Sequence, residues 1–334
     1  MKQLSLICLF TSLLLSSCTH EDDHLALPTG IDFWKESHTS RLFLNNAVKE
    51  VKEYTVIENE RFVHSHMKVN NQGYVTSYSP VNQMEPESPT GYWLPTASQS
   101  FEYTYSGSNL TGIRVLEWGQ PPVDITFVYG NTTRYLPASF LNMKPLSQLF
   151  LQGVSAIQSS DSSVSFEYTE DKAIIGYRTG YQTTIYTYFY ENSDLPYAAN
   201  ETLFLNEDES LVQEERNIKF SYFDNGAIHK MDVVTLSGNI RQNQHYEYDS
   251  KGNLLVHMRD TGSDKGQWSY QYNTGHLFTA VEHTDGTNIR IGHMNAMYDL
   301  DESRNWTRCE KRVTGFIDWD LREGNYVTYR DIMY

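Results

Sequence analysis

The sequence predicts an all-β protein, an antiparallel meander of repeated hairpins that forms a curved open sheet or a partial barrel. Three observations support this fold class. From about Val48 onward, apolar and polar side chains alternate with a period of two residues, which is typical of strands with one buried face. The chain contains 24 Tyr and 15 Phe, whose rings suit a pleated, half-buried surface. A hairpin-like segment also recurs along the chain, which indicates a repeat architecture.

The segment HYEYDSKGNLLVHMRD, residues 245–260, shows how one unit is expected to fold. Tyr246 and Tyr248 fall on one face of a strand, and the polar residues between and beside them fall on the other. Asp249 is a typical first residue of a type I turn, and Gly252 supplies the positive φ that follows such a turn. The apolar residues from Leu254 onward then begin the return strand.

Imperfect copies of this unit recur along the chain. Each has an aromatic-x-aromatic pair, a short turn with Gly or Asn, and an apolar-rich return strand. An isolated hairpin is only marginally stable in water, so the copies are expected to pack side by side. The copies begin at Phe101, Phe166, Ile185, Ile218, His245, Trp268 and Met297.

Two stretches interrupt the pattern. Residues 82–99 contain three prolines and are expected to form a long loop. Residues 135–155 contain Pro137 and Pro145 and have a looser periodicity. This second stretch is a candidate seam between an N-terminal sheet and the later repeats, with a short helix or turn expected over residues 144–152.

The N-terminus has the features of a secretory signal peptide over residues 1–17. Lys2 precedes a 12-residue apolar run from Leu4 to Leu15, which is shorter than the roughly 20 residues that a membrane-spanning helix needs. The sequence Leu-Ser-Ser-Cys at residues 15–18 resembles the bacterial lipoprotein signal. This resemblance implies cleavage before Cys18, diacylglycerol on its sulfur and acylation of the new N-terminus.

We expect residues 18–44 to form the lipidated N-terminus and a flexible tether, and residues 45–334 to form the β domain. The acidic run THEDDH directly after Cys18 is similar to the surface-export signal of Bacteroidota lipoproteins. It implies an outer-membrane protein that is held by its lipid anchor and exposed on the cell surface.

The hairpin units resemble YD (Rhs) repeats, and the chain as a whole resembles YD-repeat lipoproteins of Bacteroidota. YEYDSKGNLL at residues 246–255 carries the strongest match, and YTYSGSNL at 103–110 and YFDNGAI at 222–228 are weaker. MYDLDESRNWTR at 297–308 is similar to the closing unit of those lipoproteins, with Arg304 where Gly is usual. The large Rhs proteins build a shell from many units. With only seven or eight units here, the resemblance implies an open sheet or partial barrel.

The charge of the chain argues against some classes of binding partner. Lys and Arg total 26 against 42 for Asp and Glu, giving a net charge of −16. This charge argues against nucleic acid as a partner, because phosphate binding needs a basic face. It also argues against direct contact with anionic lipid head groups. With Cys8 removed and Cys18 acylated, Cys309 is the single remaining thiol and is expected to be a small buried side chain.

Few residues stand out as candidates for a site. In RFVHSHMKV, residues 61–69, strict alternation places Phe62, His64, His66 and Lys68 on one face. The i, i+2 spacing of the two histidines can bind a metal ion, but a third ligand is not identifiable and an exposed polar face explains them equally well. The sequence contains no motif for a cofactor, and no catalytic residues are predicted.

Two tryptophans are the candidate ligand-binding residues. Trp93 and Trp319 fall in or near loops, beside carboxylates in the case of Trp319, and such an arrangement is used to stack on sugar rings. A role in the core or at a strand edge is the alternative reading.

The function we expect is that of a non-enzymatic outer-membrane surface lipoprotein, a β-repeat scaffold that binds a glycan or a protein partner. One alternative is an envelope enzyme that acts on polysaccharide. Another is an accessory, immunity or adhesion protein related to Rhs toxin systems. Release of reducing sugar would favour the enzyme, and a neighbouring toxin gene would favour the accessory protein.

Overall fold

The computed structural model describes residues 42, 44–57, 60–80, 99–117, 120–138, 149–179, 182–205, 211–315, 317 and 323–334. All regular secondary structure in these ranges is β-strand, which confirms the predicted all-β class. None of the described residues forms a helix that could cross a bilayer. Cys18, Trp93 and Trp319 lie outside the described residues, as do nearly all of the predicted tether and proline-rich loop.

The strands are numbered in chain order. They are β1 (Glu50–Ile57), β2 (Glu60–Val69), β3 (Val75–Pro80), β4 (Gln99–Ser106), β5 (Asn109–Glu117), β6 (Val123–Tyr129), β7 (Tyr135–Pro137), β8 (Phe150–Gln152), β9 (Val154–Ser159), β10 (Val164–Tyr168), β11 (Lys172–Thr179), β12 (Gln182–Phe189), β13 (Ala198–Phe204), β14 (Val212–Tyr222), β15 (Ile228–Ser237), β16 (Ile240–Tyr248), β17 (Leu254–Asp260), β18 (Lys265–Tyr272), β19 (Phe278–Asp285), β20 (Arg290–Leu300), β21 (Trp306–Gly315) and β22 (Gly324–Met333).

Twenty strands form one antiparallel sheet, and β7 and β8 form a separate two-stranded ribbon. Strands β10 to β22 pair in sequence order, and β1 to β6 do the same. Two long-range ladders extend these runs, β1 with β22 and β6 with β9. β9 and β10 follow one another in the chain, and their Cα atoms approach within 8 Å. The sheet is therefore nearly closed and barrel-shaped, which confirms the predicted curved meander.

One face of this sheet is buried. Strands β10 to β19 each place one residue in a single row across the sheet, and within it Ala173, Tyr188 and Ala199 are at most 1 % exposed. In the adjacent row on the opposite face, Lys219 and Asp232 are exposed. Because the sheet nearly closes on itself, we call the buried side the inner face. The inner row consists of Tyr168, Ala173, Tyr188, Ala199, Ile218, Val233, Gln244, Arg259, Gly266 and Asp285.

The predicted hairpin of residues 245–260 is present as β16 and β17. The Asp249 carboxylate accepts hydrogen bonds from the backbone N–H groups of Lys251 and Asn253, both at 2.9 Å. Gly252 has a φ of 82°, as the turn requires. The register of the two strands shifts by one residue between Glu247 and Tyr248, shortly before the turn.

Five turns of this kind lie at one end of the sheet, which we call the turn end. In each, the backbone N–H of the first residue donates to the carbonyl of the fifth residue, and the fourth residue has a positive φ. The fourth residues are Gly73, Gly226, Gly252, His276 and Arg304. Residues 58–59, 81–98, 118–122, 206–210 and 316–323 connect strands that end at the opposite side, which we call the loop end.

The β7–β8 ribbon leaves the sheet at the turn end, between β6 and β9. Phe150–Gln152 is a strand, so the prediction of a short helix or turn is wrong for these residues. The ribbon packs against the turns that join β12 to β13 and β14 to β15. Tyr135 donates its backbone N–H to the Asp194 carbonyl at 2.8 Å, and the rings of Phe150 and Tyr222 meet edge to face at 6.4 Å.

A bulge in β2 overturns the predicted alternation of residues 61–69. Glu53 faces Ser65 and Tyr54 faces Val63, which leaves His64 without a register partner. The bulge shifts the alternation by one residue, so Phe62 and Met67 are both buried. The prediction that Phe62 shares a face with His66 and Lys68 is therefore wrong.

The ladder between β1 and β22 joins the two ends of the folded chain. Within it, the guanidinium of Arg330 donates to the Glu53 carboxylate through Nε at 2.7 Å and lies 2.6 Å from it at Nη2. The same guanidinium lies 3.6 Å from the ring centre of Trp306. The Arg330 side chain is 20 % exposed and that of Glu53 is 30 % exposed. Because water reaches both groups poorly, each charge is stabilised mainly by the other.

We predict that Arg330→Ala lowers the free energy of unfolding by about 3–5 kcal/mol, because it leaves the Glu53 carboxylate half-buried and unpaired. Urea unfolding followed by circular dichroism measures this loss. The matched control is Arg61→Ala, which removes an exposed pair between Arg61 of β2 and Asp331 of β22. It should cost less than about 1 kcal/mol. Equal losses in the two variants would contradict the assigned role of the Arg330 pair.

We also predict that Arg304→Gly stabilises the protein by about 0.5–1 kcal/mol. Arg304 has a φ of 64°, a conformation that costs residues with a Cβ about 1–2 kcal/mol and glycine almost nothing. Glu302→Gly in the same turn is the control, since it adds the same freedom to the unfolded chain without relieving strain, and it should destabilise. A lower unfolding midpoint for Arg304→Gly in thermal unfolding would show that the strain argument is wrong.

Candidate functional site

The inner face changes character along the strands. Towards the turn end it is lined by tyrosines such as Tyr188, Tyr222 and Tyr248. Towards the loop end of β13 to β19 the same face presents charged and amide side chains. We call this set the inner polar strip, and it consists of Glu201, Arg216, Gln242, Gln244, Arg259 and Asp285.

One end of the strip is an ion cluster. Arg216 lies 3.7 Å from Glu201 through Nη1 and 2.7 Å from Glu214 through Nε. The Glu201 side chain is only 16 % exposed. Burial raises the pKa of Glu201, Arg216 opposes that rise, and the neighbouring Glu214 adds to it. The cluster therefore holds one buried carboxyl group that takes up a proton more readily than an exposed glutamate.

Four stacked rings lie beside the strip. Tyr246, His257, Trp268 and His283 come from the adjacent strands β16, β17, β18 and β19, and each faces the next in register. Their ring centres are 4.5, 4.9 and 4.1 Å apart along the row, with interplanar angles of at most 19°. Stacked cross-strand pairs of this kind stabilise a sheet and fix its register. We call these four residues the ring ladder.

The ring ladder contains a histidine that is held neutral. Burial lowers the pKa of His257 to about 4, and the positive charges of Arg259 and His283 act in the same direction. The guanidinium of Arg259 lies 5.5 Å from the ring centre of Trp268 and donates through Nη2 to Asp264 at 2.6 Å. Among the described residues, His257 Nε2 and Arg259 Nε are buried without a hydrogen-bond partner.

A groove of about 400 Å³ crosses β15 to β19 near the loop end. Five of its residues belong to the inner row: Val233, Gln244, Arg259, Gly266 and Asp285. Gly266 is needed here, because a Cβ at this position would lie 2.8 Å from His283 Nε2 and 2.9 Å from Trp268 Cη2. None of the four ring-ladder residues lines the groove, and its other lining residues on β15 to β18 alternate with the inner row and so belong to the outer face.

The connection between β21 and β22 contacts the ring ladder. Trp268 donates its indole N–H to the carbonyl of Ile317 at 2.7 Å, and Ile317 is 3 % exposed. Trp319 follows two residues later but lies outside the described residues. Trp93 also lies outside them, and β3 and β4, which flank it in the chain, meet the loop end as well.

The two histidines at i, i+2 are not brought together on a shared ligand. His64 Nε2 lies 2.5 Å from the Thr55 hydroxyl, and His66 Nε2 lies 3.1 Å from the Glu50 carboxylate. Within the described ranges, no group of three or more His, Cys, Asp or Glu side chains is placed to hold a metal ion. Cys309 is buried, as predicted, and burial raises the pKa of its thiol, which disfavours the nucleophilic thiolate.

The inner polar strip was not predicted from the sequence. Its residues lie in different repeats. In its own segment of the sequence, each looks like an ordinary polar position of an alternating strand. The one available signal is the local order of small and polar residues, such as Gly266 between Lys265 and Gln267. Only the register of seven neighbouring strands places Glu201 and Asp285 on the same face.

Comparisons with known proteins give only loose structural overlaps. No protein-family model matches, and no curated protein matches. A porin-like protein from Bacteroides uniformis is 11 % identical over 86 % of this chain and 99 % of its own, with a TM-score of 0.37. A porin-like protein from Bacteroides vulgatus is 13 % identical over 86 % of this chain and 98 % of its own, with a TM-score of 0.35.

A third solved structure, TcdB2-TccC3, is 9 % identical over 81 % of this chain and 20 % of its own, with a TM-score of 0.22. At these identities and scores the three overlaps are loose. The function of this chain is therefore inferred from its own residues.

We predict that acidification weakens the fold through His257. Its folded-state pKa of about 4 lies below the usual 6.5, so between these values the unfolded chain binds a proton that the folded protein does not. The free energy of unfolding should fall as the pH drops from 7 to 5, and His257→Phe, which keeps a stacked ring, should reduce this fall. Urea unfolding at several pH values measures both slopes.

His245 provides a comparison of opposite sign. Burial lowers its pKa, but hydrogen bonds with Asp232 and Glu247 at 2.6 and 3.0 Å outweigh burial, and the net pKa is raised. Its contribution is fully present below the unfolded pKa and is lost as the pH rises through the folded value. His245→Gln should therefore make the loss on acidification steeper. A His257→Phe variant with the wild-type slope would refute the assignment.

Proposed function

We propose that this chain is a lipid-anchored protein of the outer membrane, exposed on the cell surface, whose nearly closed sheet is a non-enzymatic scaffold that binds a glycan at its loop end. The observation that carries the proposal is the inner polar strip, which lines the inner face at the loop end beside stacked aromatic rings. Amide, guanidinium and carboxylate groups next to aromatic rings suit ligands that carry both hydroxyl groups and apolar ring faces.

The shape of the site favours a glycan over a protein partner. A stable protein interface buries about 800 Å² on each side and needs an accessible surface patch. The inner polar strip lies on the inner face of a nearly closed sheet, which a flat protein surface cannot approach closely. A thin chain of sugars can enter such a recess.

The ion cluster supports a binding role over a hydrolytic one. A glycosidase uses one carboxyl group as an acid and a second as a nucleophile or base on opposite sides of the bond that breaks. Here Glu201 and Glu214 are both engaged by Arg216. Arg216 occupies the space between the two carboxylates, and its positive charge opposes the rise in the pKa of Glu201 that burial causes.

The first described residues lie at the opposite end of the sheet from the inner polar strip. Asn45 lies at the turn end, where its backbone N–H donates to the Asn305 side chain at 2.7 Å. A lipid on Cys18 would reach the sheet through this end. The loop end would then face away from the membrane, where a surface-exposed protein meets extracellular glycans.

We predict that Cys18→Ser releases the protein from the membrane, because the thioether-linked lipid can form only on a cysteine. Detergent phase partitioning and mass spectrometry of the mature N-terminus measure the change. The control is Cys309→Ser, which replaces the other thiol expected in the mature chain and should leave partitioning unchanged. Protease treatment of intact cells tests exposure, with a periplasmic protein as the protected standard.

If the Cys18→Ser protein still partitions into the detergent phase as the wild type does, the anchor is not on Cys18. If the anchored protein resists protease while known surface proteins are cut, the surface location is wrong. The proposed glycan binding fails if the folded protein retains no member of a broad glycan panel.

A further inference from the structure

Two apolar side chains lie on the outer face of β15 near the loop end. Leu236 is 37 % exposed, and Val234, two residues before it, is half-buried. Both alternate with Val233 of the inner row, so their side chains point away from the inner face. Single exposed aliphatic side chains are common on protein surfaces. What distinguishes this pair is the arrangement of polar and charged side chains around it.

The two strands beside β15 place opposite charges on either side of Leu236. Glu215 of β14 and Arg241 of β16 both face Leu236 in register, and both are exposed. Neighbouring strands lie about 4.8 Å apart, so the Cα atoms of Glu215 and Arg241 are roughly 10 Å apart. Within the described ranges neither residue forms an ion pair, and Arg241 Nε donates to the side chain of Asn243 at 3.3 Å.

The next row of the outer face is the same on both sides of β15. Asn217 of β14 and Asn243 of β16 both face Val234 in register, and both asparagines are exposed. The patch therefore has an apolar centre on β15, matching amides on its two sides in one row and opposite charges on its two sides in the other. We call these six residues the outer patch.

This pattern is complementary to itself. A rotation of 180° about an axis parallel to β15 exchanges the β14 side with the β16 side. Two outer patches related in this way place Glu215 of each copy opposite Arg241 of the other and Leu236 opposite Leu236. An axis perpendicular to β15 would instead place Glu215 opposite Glu215. A two-fold symmetric interface requires such self-complementarity, and here the charges specify the axis.

We propose that two copies of this chain form a two-fold symmetric dimer through their outer patches, with Leu236 at the centre and two Glu215–Arg241 ion pairs between the copies. The outer face of a nearly closed sheet curves away on both sides, so contact is limited to about three strands. The buried area is then below the roughly 800 Å² per partner of a standard interface, and we expect a weak, reversible dimer. The inner polar strip stays free, so this inference goes beyond the proposed glycan binding and does not depend on it.

The test is sedimentation equilibrium of the full-length mature protein in a detergent matched to the solvent density, with micelles in excess. Protein concentrations from about 5 to 500 µM cover the affinities of weak interfaces. The wild type should dimerise within this range. Glu215→Arg and Arg241→Glu should each raise the dimer dissociation constant at least about tenfold, because each places like charges opposite one another twice.

Mixing these two variants tests the proposed symmetry. A Glu215→Arg copy has two arginines in its outer patch, and an Arg241→Glu copy has two glutamates. In the mixed pair each arginine again faces a glutamate, so a one-to-one mixture should dimerise about as well as the wild type. The double variant, which exchanges the two charges within one chain, should also dimerise. Leu236→Asp should abolish the dimer in every combination.

Glu167→Arg is the matched control. Glu167 is exposed on β10 and precedes Tyr168 of the inner row, so it makes the same charge reversal on the outer face, four strands away from β14. It should dimerise as the wild type does. All substituted residues are exposed, and circular dichroism of each variant checks folding.

A wild type that remains monomeric over the whole concentration range would overturn the dimer. A mixture of the two single variants that stays monomeric while the wild type dimerises would show that the two-fold pairing is wrong. If the wild type is monomeric but binds a glycan or neutral lipid vesicles, and Leu236→Asp loses that binding, the outer patch takes that ligand and the dimer is refuted. Each of these outcomes leaves the test of the inner polar strip by the glycan panel unaffected.

Discussion

The whole structure depends on one constraint: each strand's aromatic side is covered by the strands beside it, in a fixed register. The inner row from Tyr168 to Asp285 crosses ten strands, and its middle members are almost inaccessible to solvent. A slip of one residue in any ladder would turn Tyr188 and Ala199 outward and bring charged residues such as Lys219 inward. The need to bury these side chains therefore fixes the register of the strands.

The same constraint builds the candidate site. The ring ladder takes one residue from each of four strands, and the inner polar strip takes its members from strands in several repeats. No single hairpin contains a site. A repeat that is degenerate in sequence can therefore keep a common backbone at the turn end while it varies the side chains that face inward near the loop end.

The sequence predicted those features that are determined by a few consecutive residues. Asp249 and Gly252 determine their turn through a side-chain acceptor and a positive φ, and both are visible in five residues. The burial of Cys309 likewise follows from the alternation of its own strand. Features that depend on distant partners were missed. The bulge at His64, the strand at Phe150–Gln152 and the shared face of Glu201 and Gln244 all depend on which strands become neighbours.

The pairing of β1 with β22 has a consequence for how the protein is made. Glu53 and Arg330 are separated by 277 positions in the chain, so one edge of the first strand stays without its partner until nearly all of the polypeptide has emerged. Closing so long a loop is entropically costly, and contacts of this kind form slowly. Until then the free backbone groups of β1 can pair with other chains. The free edge of β1 must therefore be shielded from other chains until β22 has been synthesised.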